Sequence, residues 1–449
     1  MHTGSDGLFK DIYPFSDVPR VIVTDSVFME NLGKIYMTDS TLREGQQGWR
    51  PFTVSECERV YELLADIGGG GGVASTEVFL YTEKDREVAS RLRSYGYKHP
   101  KPTPWIRATL SDLQLVLDHG FDEAVMLMSI SDYHIKFKLG LTRDIALGKY
   151  LEVAERAMSR GVVVKASLED VTRADVDNVV IPFVQSLMKM AEKHGLPVKI
   201  KLPDTLGVGL PFPYIPPPRG VPALVEKIRR QTGIPQEHLE FHGHNDLGLA
   251  LANHLAAWFH GAASANCTLL GIGERAGNCP LEVLAVHYAG VKGSKGLNLR
   301  ALPRVREVFE EMGYKIPAHH PVVGRNAFTQ KSGIHVDGLL KNPEVYLPFN
   351  PETVLGTPFN IEVTSYSGRA AVLYWLKTKI GLDSLGKDDP RVIAVYNEIT
   401  RIFEREGRSE PLTDCEMLEL AEKYFRGVIP SGARLRLGCV DKGSKHASS

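Results

Sequence analysis

Two histidines separated by a single residue, His242 and His244, are the clearest candidates for chemistry in this chain. They follow a short apolar run typical of a strand, and side chains two positions apart on a strand point to the same side. Two imidazoles and a carboxylate commonly hold a divalent metal ion while leaving positions open for substrate. We take Glu44 as the third ligand and Asn278 as a candidate fourth. A pair of hydrogen-bonded structural histidines is the alternative, which an isolated motif of this kind would favour.

Arg43 precedes Glu44 at the end of the first apolar run. A guanidinium at that position could bind a carboxylate or stabilise an oxyanion that develops during a reaction. The alternative is a salt bridge to a nearby carboxylate, of which Asp39, Glu44 and Glu274 are candidates.

The pattern along the chain predicts the elements that position these residues. Short apolar runs alternate with amphipathic stretches of helical spacing, and strands that alternate with helices pair in parallel. Eight such units in about 260 residues predict an α/β fold, a closed (β/α)₈ TIM barrel with its site at the C-terminal strand ends. A doubly wound open sheet is the alternative, but it would not need eight units. The predicted strands begin at Ile35, Val73, Trp105, Ala124, Val162, Val198, Leu239 and Ala265.

A change of pattern near residue 300 indicates further domains. The glycine run at 68–72 precedes the second strand, on the barrel face opposite the usual site, and we predict a flexible loop there. The predicted segments are an N-terminal arm (1–34), a catalytic barrel (35–300), a linker subdomain (301–360), a small C-terminal helical subdomain (361–440) and a disordered tail (441–449).

Composition narrows the class of protein. The 53 basic and 54 acidic residues nearly cancel, so no overall field attracts nucleic acid or an anionic membrane. No apolar stretch reaches the roughly 18 residues of a membrane span, and the N-terminal residues do not resemble a signal peptide. The five cysteines are widely spaced and form no C-x-x-C pair, which argues against a disulfide framework. We therefore expect a cytoplasmic enzyme.

Three motifs resemble one enzyme family, namely DSTLREG at 39–45, HGHND at 242–246 and GIGERAGN at 271–278. This family includes 2-isopropylmalate synthase, homocitrate synthase and 3-hydroxy-3-methylglutaryl-CoA lyase, and the resemblance covers about residues 35 to 356. It implies that Glu44, His242 and His244 bind a divalent metal, with Mn²⁺ or Mg²⁺ favoured over Zn²⁺ or Co²⁺. It also implies that Arg43 contacts a substrate oxygen.

A later motif, KSGIHVDG at 331–338, is similar to the linker subdomain of the synthases in this family. The resemblance implies that His335 and Tyr346 lie near the acyl-CoA. We take these two residues as the candidate acid/base pair, with Glu169 in support. It further implies a homodimer in which the linker subdomain reaches the partner's barrel. Because the lyases lack this subdomain, the motif favours condensation over cleavage.

The resemblance implies an acyltransferase that condenses acetyl-CoA with a 2-oxo acid and then hydrolyses the thioester. The stretches 46–53 and 346–350 look most like the Re-type citrate synthases, which makes oxaloacetate the first choice of oxo acid. Glu44 stands where isopropylmalate synthases usually have Asp. Homocitrate synthase and 2-isopropylmalate synthase are the nearest alternatives. A carbon–carbon lyase, or a barrel that only binds metal or acyl-CoA, remains a more distant alternative.

Several polar residues after the strands are candidates for binding this substrate. We expect Ser167 and Thr205 to donate hydrogen bonds to its carboxylate. A second carboxylate would need a cationic or multi-donor partner, since burying an unpaired charge is costly. The full candidate set is Gln47, Arg107, Ser131, His134, Ser167 and Thr205. For Arg107 the alternative is a structural ion pair.

Overall fold

The computed structural model describes residues 32–439 and confirms the predicted barrel. Eight parallel strands pair in chain order, and the eighth pairs with the first to close the sheet. The strands β1–β8 are Tyr36–Asp39, Val73–Val78, Lys101–Arg107, Glu123–Ser129, Val163–Glu169, Val198–Asp204, Leu239–Gly243 and Ser264–Cys267.

A helix follows every strand and covers the outside of the sheet with its apolar face. The first of them begins at a capping box, in which the Thr53 side chain accepts from the Glu56 amide and the Glu56 carboxylate accepts from the Thr53 amide. The helices α1–α8 are Val54–Gly68, Glu83–Ser94, Leu110–Asp118, Arg143–Met158, Ile181–Lys193, Val221–Thr232, Ala250–Phe259 and Leu281–Lys292, and α9 (Pro303–Glu311) ends this unit.

Seven strands begin within one residue of their predicted starts, and β3 is the exception. It begins at Lys101 rather than at Trp105, so it includes Pro102 and Pro104. Proline cannot donate to a sheet and argues against a strand in sequence. The structure accommodates both prolines because β3 pairs with β4 only from Trp105 onward, and the earlier section pairs with β2 alone.

The glycine run at 68–72 is packed, which corrects the prediction of a flexible loop. The Gly72 amide donates to the Gly296 carbonyl at 3.0 Å, and the Gly72 carbonyl accepts from Met37 at 2.9 Å. A Cβ atom on Gly72 would lie 2.3 Å from Leu297 and one on Gly70 would lie 2.8 Å from the Gly296 backbone. The run is therefore glycine because two backbone segments approach each other closely.

A second compact unit begins at Tyr314. Its buried core includes Trp375, Leu376, Val395 and Met417. The two short strands β9 and β10 pair in parallel. The elements are β9 (Thr329–Gln330), α10 (Gly333–Lys341), α11 (Pro351–Leu355), β10 (Asn360–Ile361), α12 (Arg369–Trp375), α13 (Pro390–Glu406), α14 (Asp414–Tyr424) and α15 (Ala433–Arg436).

A disulfide joins Cys415 to Cys439 in the second unit, although the spacing of the cysteines argued against a disulfide framework. The two residues are 24 positions apart in sequence, and the fold brings their Cα atoms to 5.5 Å, a separation that spacing alone does not reveal.

The chain divides into two compact units after Gly313. This division does not test the finer predicted boundary at residue 360, which stays a prediction. The predicted disordered tail and nearly all of the predicted N-terminal arm lie outside the described residues. Across residues 32–439, no helix combines the length and apolarity that a membrane crossing requires.

Candidate metal centre and active-site cavity

Glu44, His242 and His244 converge at the C-terminal end of the barrel. Glu44 lies in the helical turn Thr41–Gly45 directly after β1, His242 is on β7, and His244 follows that strand. The Nε2 atoms of the two histidines are 3.4 Å apart, and they lie 3.5 Å and 4.0 Å from Oε1 of Glu44. All three side chains are buried. The structure thus brings together the three predicted ligands.

This donor set fits a divalent ion. Ligands about 2.1 Å from one ion lie roughly 3.0–3.4 Å from each other, close to the separations above. An imidazole must be neutral to bind a metal. Burial, with the nearby charge of Lys201, lowers the pKa of His242 well below its ordinary value, and burial also lowers the pKa of His244. Both rings are therefore neutral at neutral pH.

Asn278 borders the same cluster. Its Nδ2 lies 3.5 Å from Nε2 of His242, while its Oδ1 is buried without a hydrogen-bond partner among residues 32–439. Buried amide oxygens normally have a hydrogen-bond partner. A buried amide oxygen without one, next to three metal-type donors, fits the role of a fourth metal ligand. A Cβ atom on Gly273 would lie only 1.8 Å from that oxygen, so glycine is required there.

A second group of metal-type donors, His254, Cys267 and Cys279, is also buried. Here both ring nitrogens of His254 already face carbonyl oxygens, Nδ1 at 2.7 Å from Ala250 and Nε2 at 3.0 Å from Asn266. Because each nitrogen has an acceptor opposite it, neither offers a lone pair to a metal. Of the two groups, Glu44, His242 and His244 are therefore the better candidates for a metal site.

Arg43 is buried and forms two ion pairs. Its Nη1 lies 2.7 Å from Glu44 and its Nε lies 2.7 Å from Glu77, while the guanidinium stacks 5.0 Å from the centroid of Trp105. The salt bridge considered from the sequence is therefore present. It does not compete with a role at the site, because it holds the cation next to the metal-type donors.

The barrel interior below this cluster contains charges that the sequence did not single out. Lys165 lies 3.1 Å from Glu240, and Lys201 lies 3.5 Å from Glu240 and also hydrogen-bonds Glu77. Glu77 in turn pairs with Arg43. Burial alone would raise the pKa of Glu240, but Lys165 and Lys201 lower it to about 2, so this carboxylate is ionised. We call Lys165, Glu240, Lys201, Glu77, Arg43 and Glu44 the interior charge row.

A cavity of about 240 Å³ opens over the cluster. Its lining combines the metal-type donors with cations and only a few apolar side chains. The lining residues are Arg43, Glu44, Gln47, Trp105, Leu127, Lys138, Ser167, Glu169, Lys201, Pro203, Thr205, His242, His244, Glu274 and Arg275. Of the predicted substrate-binding residues, Gln47, Ser167 and Thr205 are therefore present in the cavity wall.

Comparison with known families decides the identity of this barrel. A family model described as HMGL-like matches residues 34–309, which is most of the chain. The chain belongs to the HMGL-like family. A second model, homocitrate synthase post-HMGL domain-like, matches residues 322–402. The predicted family is thus confirmed, and the HMGL-like family is dependent on a divalent metal.

Individual relatives agree with this assignment to the HMGL-like family. A protein named Citrate (Re)-synthase from Clostridium kluyveri is 39% identical over 428 residues, covering 94% of each chain. A 2-isopropylmalate synthase from Sulfolobus acidocaldarius is 32% identical, covering 84% of this chain and 93% of its own. A solved hydroxymethylglutaryl-CoA lyase from Pseudomonas aeruginosa shares the fold with a TM-score of 0.51 and 21% identity, covering 63% of this chain and 94% of the lyase.

The other three predicted substrate-binding residues of this HMGL-like barrel lie outside the cavity wall. The Arg107 guanidinium forms two hydrogen bonds to Asp112, of 2.9 Å and 2.8 Å, and this side chain is 62% exposed. Ser131 donates to Asp170 at 2.5 Å. None of Arg107, Ser131 and His134 lines the cavity. Their predicted role in substrate binding stays a prediction, and for Arg107 the structure shows the alternative ion pair.

Glu169 lines the cavity as a firmly held carboxylate. Lys138 donates to both of its oxygens at 2.8 Å and 2.7 Å, Ser129 also donates to it, and Nδ1 of His134 lies 3.1 Å away. Burial would raise the pKa of Glu169, but the contacts with His134, Lys138 and Ser129 lower it to about 2. A carboxylate with so low a pKa is a weak base, so it is suited to orienting other groups.

His335 and Tyr346 lie together in the second unit. His335 is on α10, and its ring centroid is 4.4 Å from that of Tyr346. A Cβ atom on Gly338 would lie 2.7 Å from the Tyr346 ring, so this glycine makes room for the tyrosine. The two predicted acid/base residues are therefore neighbours, as the family motif implied.

Proposed function

We propose that this chain condenses acetyl-CoA with oxaloacetate and, with one water molecule, releases citrate and CoA, as a Re-type citrate synthase. The observation that carries the proposal is the 39% identity to Citrate (Re)-synthase over 94% of both chains. The match of residues 322–402 to a post-HMGL domain of homocitrate synthase favours condensation over the lyase reaction.

The polar wall of the cavity supports a dicarboxylate substrate. Four cations line this wall, Arg43, Lys138, Lys201 and Arg275, and each is ion-paired with a carboxylate. The charge of the substrate is therefore balanced by the bound divalent ion and by the hydrogen-bond donors of the wall. A branched aliphatic oxo acid would instead require an apolar wall, and the apolar lining is limited to Trp105, Leu127 and Pro203.

We assign the metal to Glu44, His242, His244 and Asn278. A bound divalent ion, with Mn²⁺ or Mg²⁺ as our choice, would supply Lewis acidity toward the oxo group of the substrate. Both imidazoles are neutral, which suits this role. The Glu44 carboxylate brings one negative charge and leaves the site cationic enough for an anionic substrate.

The remaining residues of the site bind the substrate by hydrogen bonds and transfer the proton. Ser167 and Thr205 donate to the substrate carboxylate from the cavity wall. Arg43 uses Nε and Nη1 to hold Glu77 and Glu44, and we assign its Nη2 to the oxyanion that develops as the new carbon–carbon bond forms. The methyl proton of acetyl-CoA passes to His335, assisted by Tyr346, and water then cleaves the thioester.

We also propose a cytoplasmic homodimer in which residues 301–360 bring His335 and Tyr346 to the partner's barrel. Complementation tests this directly. Arg43→Ala and His335→Ala are each expected to be inactive, but a mixed and re-equilibrated sample should recover about a quarter of wild-type activity if the two residues come from different subunits. A mixture that stays inactive while hybrid dimers are present would show that both act within one subunit.

The substrate is tested with a panel of oxo acids. Purified enzyme is given acetyl-CoA with oxaloacetate, 2-oxoglutarate, 2-oxoisovalerate or pyruvate, and free CoA is measured. We expect the highest kcat/KM with oxaloacetate and citrate as its product. Higher kcat/KM with 2-oxoglutarate or 2-oxoisovalerate would make the chain a homocitrate or 2-isopropylmalate synthase, and His242→Ala serves as the control for metal-dependent turnover.

A further inference from the structure

An imidazole can bind a metal only through the nitrogen that carries no hydrogen. For His242 this nitrogen must be Nε2, because Nε2 is the atom that faces Glu44 and His244. Its Nδ1 lies 2.7 Å from Oδ1 of Asn266, and both side chains are buried. The atom that Asn266 presents to Nδ1 therefore decides whether His242 is ready to bind.

The neighbours of Asn266 fix which atom that is. Lys201, which can only donate, places its Nζ 3.0 Å from Oδ1, and the Ser40 hydroxyl donates to the same oxygen at 3.1 Å. Turning the amide over would direct its NH₂ group at the Lys201 ammonium. Two donors thus hold the amide oxygen toward His242.

The contacts of the Asn266 amide nitrogen favour the same orientation of the amide. The Thr38 hydroxyl donates its hydrogen to Oε2 of Glu240 at 2.8 Å, so its oxygen is left to accept. Nδ2 of Asn266 lies 2.9 Å from that oxygen and donates to it. Oε2 of Glu240 also accepts from Ser264 and Lys165, so the polarity of every bond from Glu240 through Thr38 and Asn266 to His242 is set.

We propose that Asn266 is a positioning residue that, through this chain of hydrogen bonds, holds His242 as the Nδ1–H tautomer with its Nε2 lone pair toward the metal. The inference rests on the proposed function only in taking His242 as a ligand. It extends that function by assigning part of the metal affinity to Asn266, Thr38 and Lys201, which do not touch the metal. Removing such an outer partner typically lowers metal affinity by about 10- to 100-fold.

The test compares Asn266→Leu with Asn266→Asp by calorimetric titration with Mn²⁺ alone. Leucine has a similar size but cannot accept from Nδ1, so we expect Mn²⁺ affinity to fall about 10- to 100-fold. Aspartate still accepts from His242 and Lys201, so affinity should stay within about threefold of wild type. Asn253→Leu is the matched control, because Asn253 is equally buried in the same barrel and its side chain bonds only the Gly209 carbonyl among residues 32–439.

The tautomer itself is read from ¹⁵N spectra of metal-free protein labelled at histidine, with His242→Gln identifying the signals. We expect the Nδ1–H form of His242 in wild type and a shift toward Nε2–H in Asn266→Leu. Should Asn266→Leu fail to fold by circular dichroism, Asn266→Ala also removes the acceptor opposite Nδ1 and should produce the same shift.

Different results would disprove the metal centre and the role of Asn266. A wild-type protein that binds no Mn²⁺ would overturn the metal centre of the proposed function, and the spectra would still report on the tautomer. Wild-type binding together with unchanged affinity and unchanged His242 signals in Asn266→Leu would overturn the role of Asn266 alone. An Nε2–H tautomer in the wild-type protein would overturn it as well.

Discussion

The interior charge row makes a strong prediction about stability. Glu240 accepts hydrogen bonds from Thr38 and Ser264 at 2.8 Å and from Lys165 at 3.1 Å, with Lys201 at 3.5 Å. Glu240→Gln removes the carboxylate to which Lys165 is bonded and leaves that ammonium buried. Leaving one member of a buried ion pair without its partner costs about 3–5 kcal/mol.

The pH dependence gives a second measure of the same interaction. The pKa of Glu240 falls from 4.5 to about 2 in the fold, which corresponds to about 3 kcal/mol. Because the folded-state pKa is the lower one, this stabilisation is present above about pH 4.5 and is lost as the pH falls toward 2. Glu240→Gln should therefore lack this part of the acid sensitivity.

Urea unfolding, followed by the fluorescence of the four tryptophans, three of which lie in the barrel unit, measures the loss. With a slope of roughly 3 kcal/mol per M, the midpoint of Glu240→Gln should fall by about 1 M or more. Glu237→Gln is the matched control, since Glu237 is exposed and precedes the same strand. Removing Lys165 as well should add little, because the double variant has no unpaired ammonium.

A midpoint for Glu240→Gln equal to that of Glu237→Gln would refute the reasoning. It would mean that the barrel interior solvates Lys165 by itself, for instance through internal water. Equal acid sensitivity in wild type and Glu240→Gln would lead to the same conclusion.

Three further predictions concern the site. Glu44→Gln should weaken Mn²⁺ binding by roughly 100-fold in calorimetry, because it removes the charged ligand; unchanged affinity would exclude Glu44. Gly273→Ala should reduce both metal affinity and kcat, because the added methyl group occupies the position of Asn278 Oδ1; wild-type values in both assays would contradict this. Arg107→Ala should change kcat/KM for oxaloacetate by less than about twofold, since its exposed pair with Asp112 lies outside the cavity wall; a large rise in KM would restore it as a substrate ligand.

The sequence predicted the barrel and the metal-type donors because both follow from local patterns. Alternation of strands and helices defined the eight units, and the one-residue spacing of His242 and His244 placed both rings on one side of the chain at the end of β7. The error at β3 arose because the cost of Pro102 and Pro104 depends on which neighbouring strand pairs at each position.

Four members of the interior charge row were missed for a related reason, namely Lys165, Glu240, Lys201 and Glu77. The stretch Lys199–Leu202 alternates charged and apolar residues, which usually indicates a strand with its charged side toward solvent. In this barrel the charged side chain of Lys201 points into the interior instead of toward solvent. Ile200 and Leu202 are fully buried on the other side of the strand. A period of two shows that a strand has two sides, but it does not show which side faces inward.

The interior charge row also constrains how this barrel can change over generations. A replacement at Lys165 or Glu240 alone leaves an unpaired charge, whereas replacing both together removes the penalty. Viable substitutions at these positions are therefore expected to occur in pairs that are far apart in the gene. Homologues should therefore differ at these positions by paired substitutions. Replacing only one of these residues with the residue of a homologue should lower the yield of folded protein.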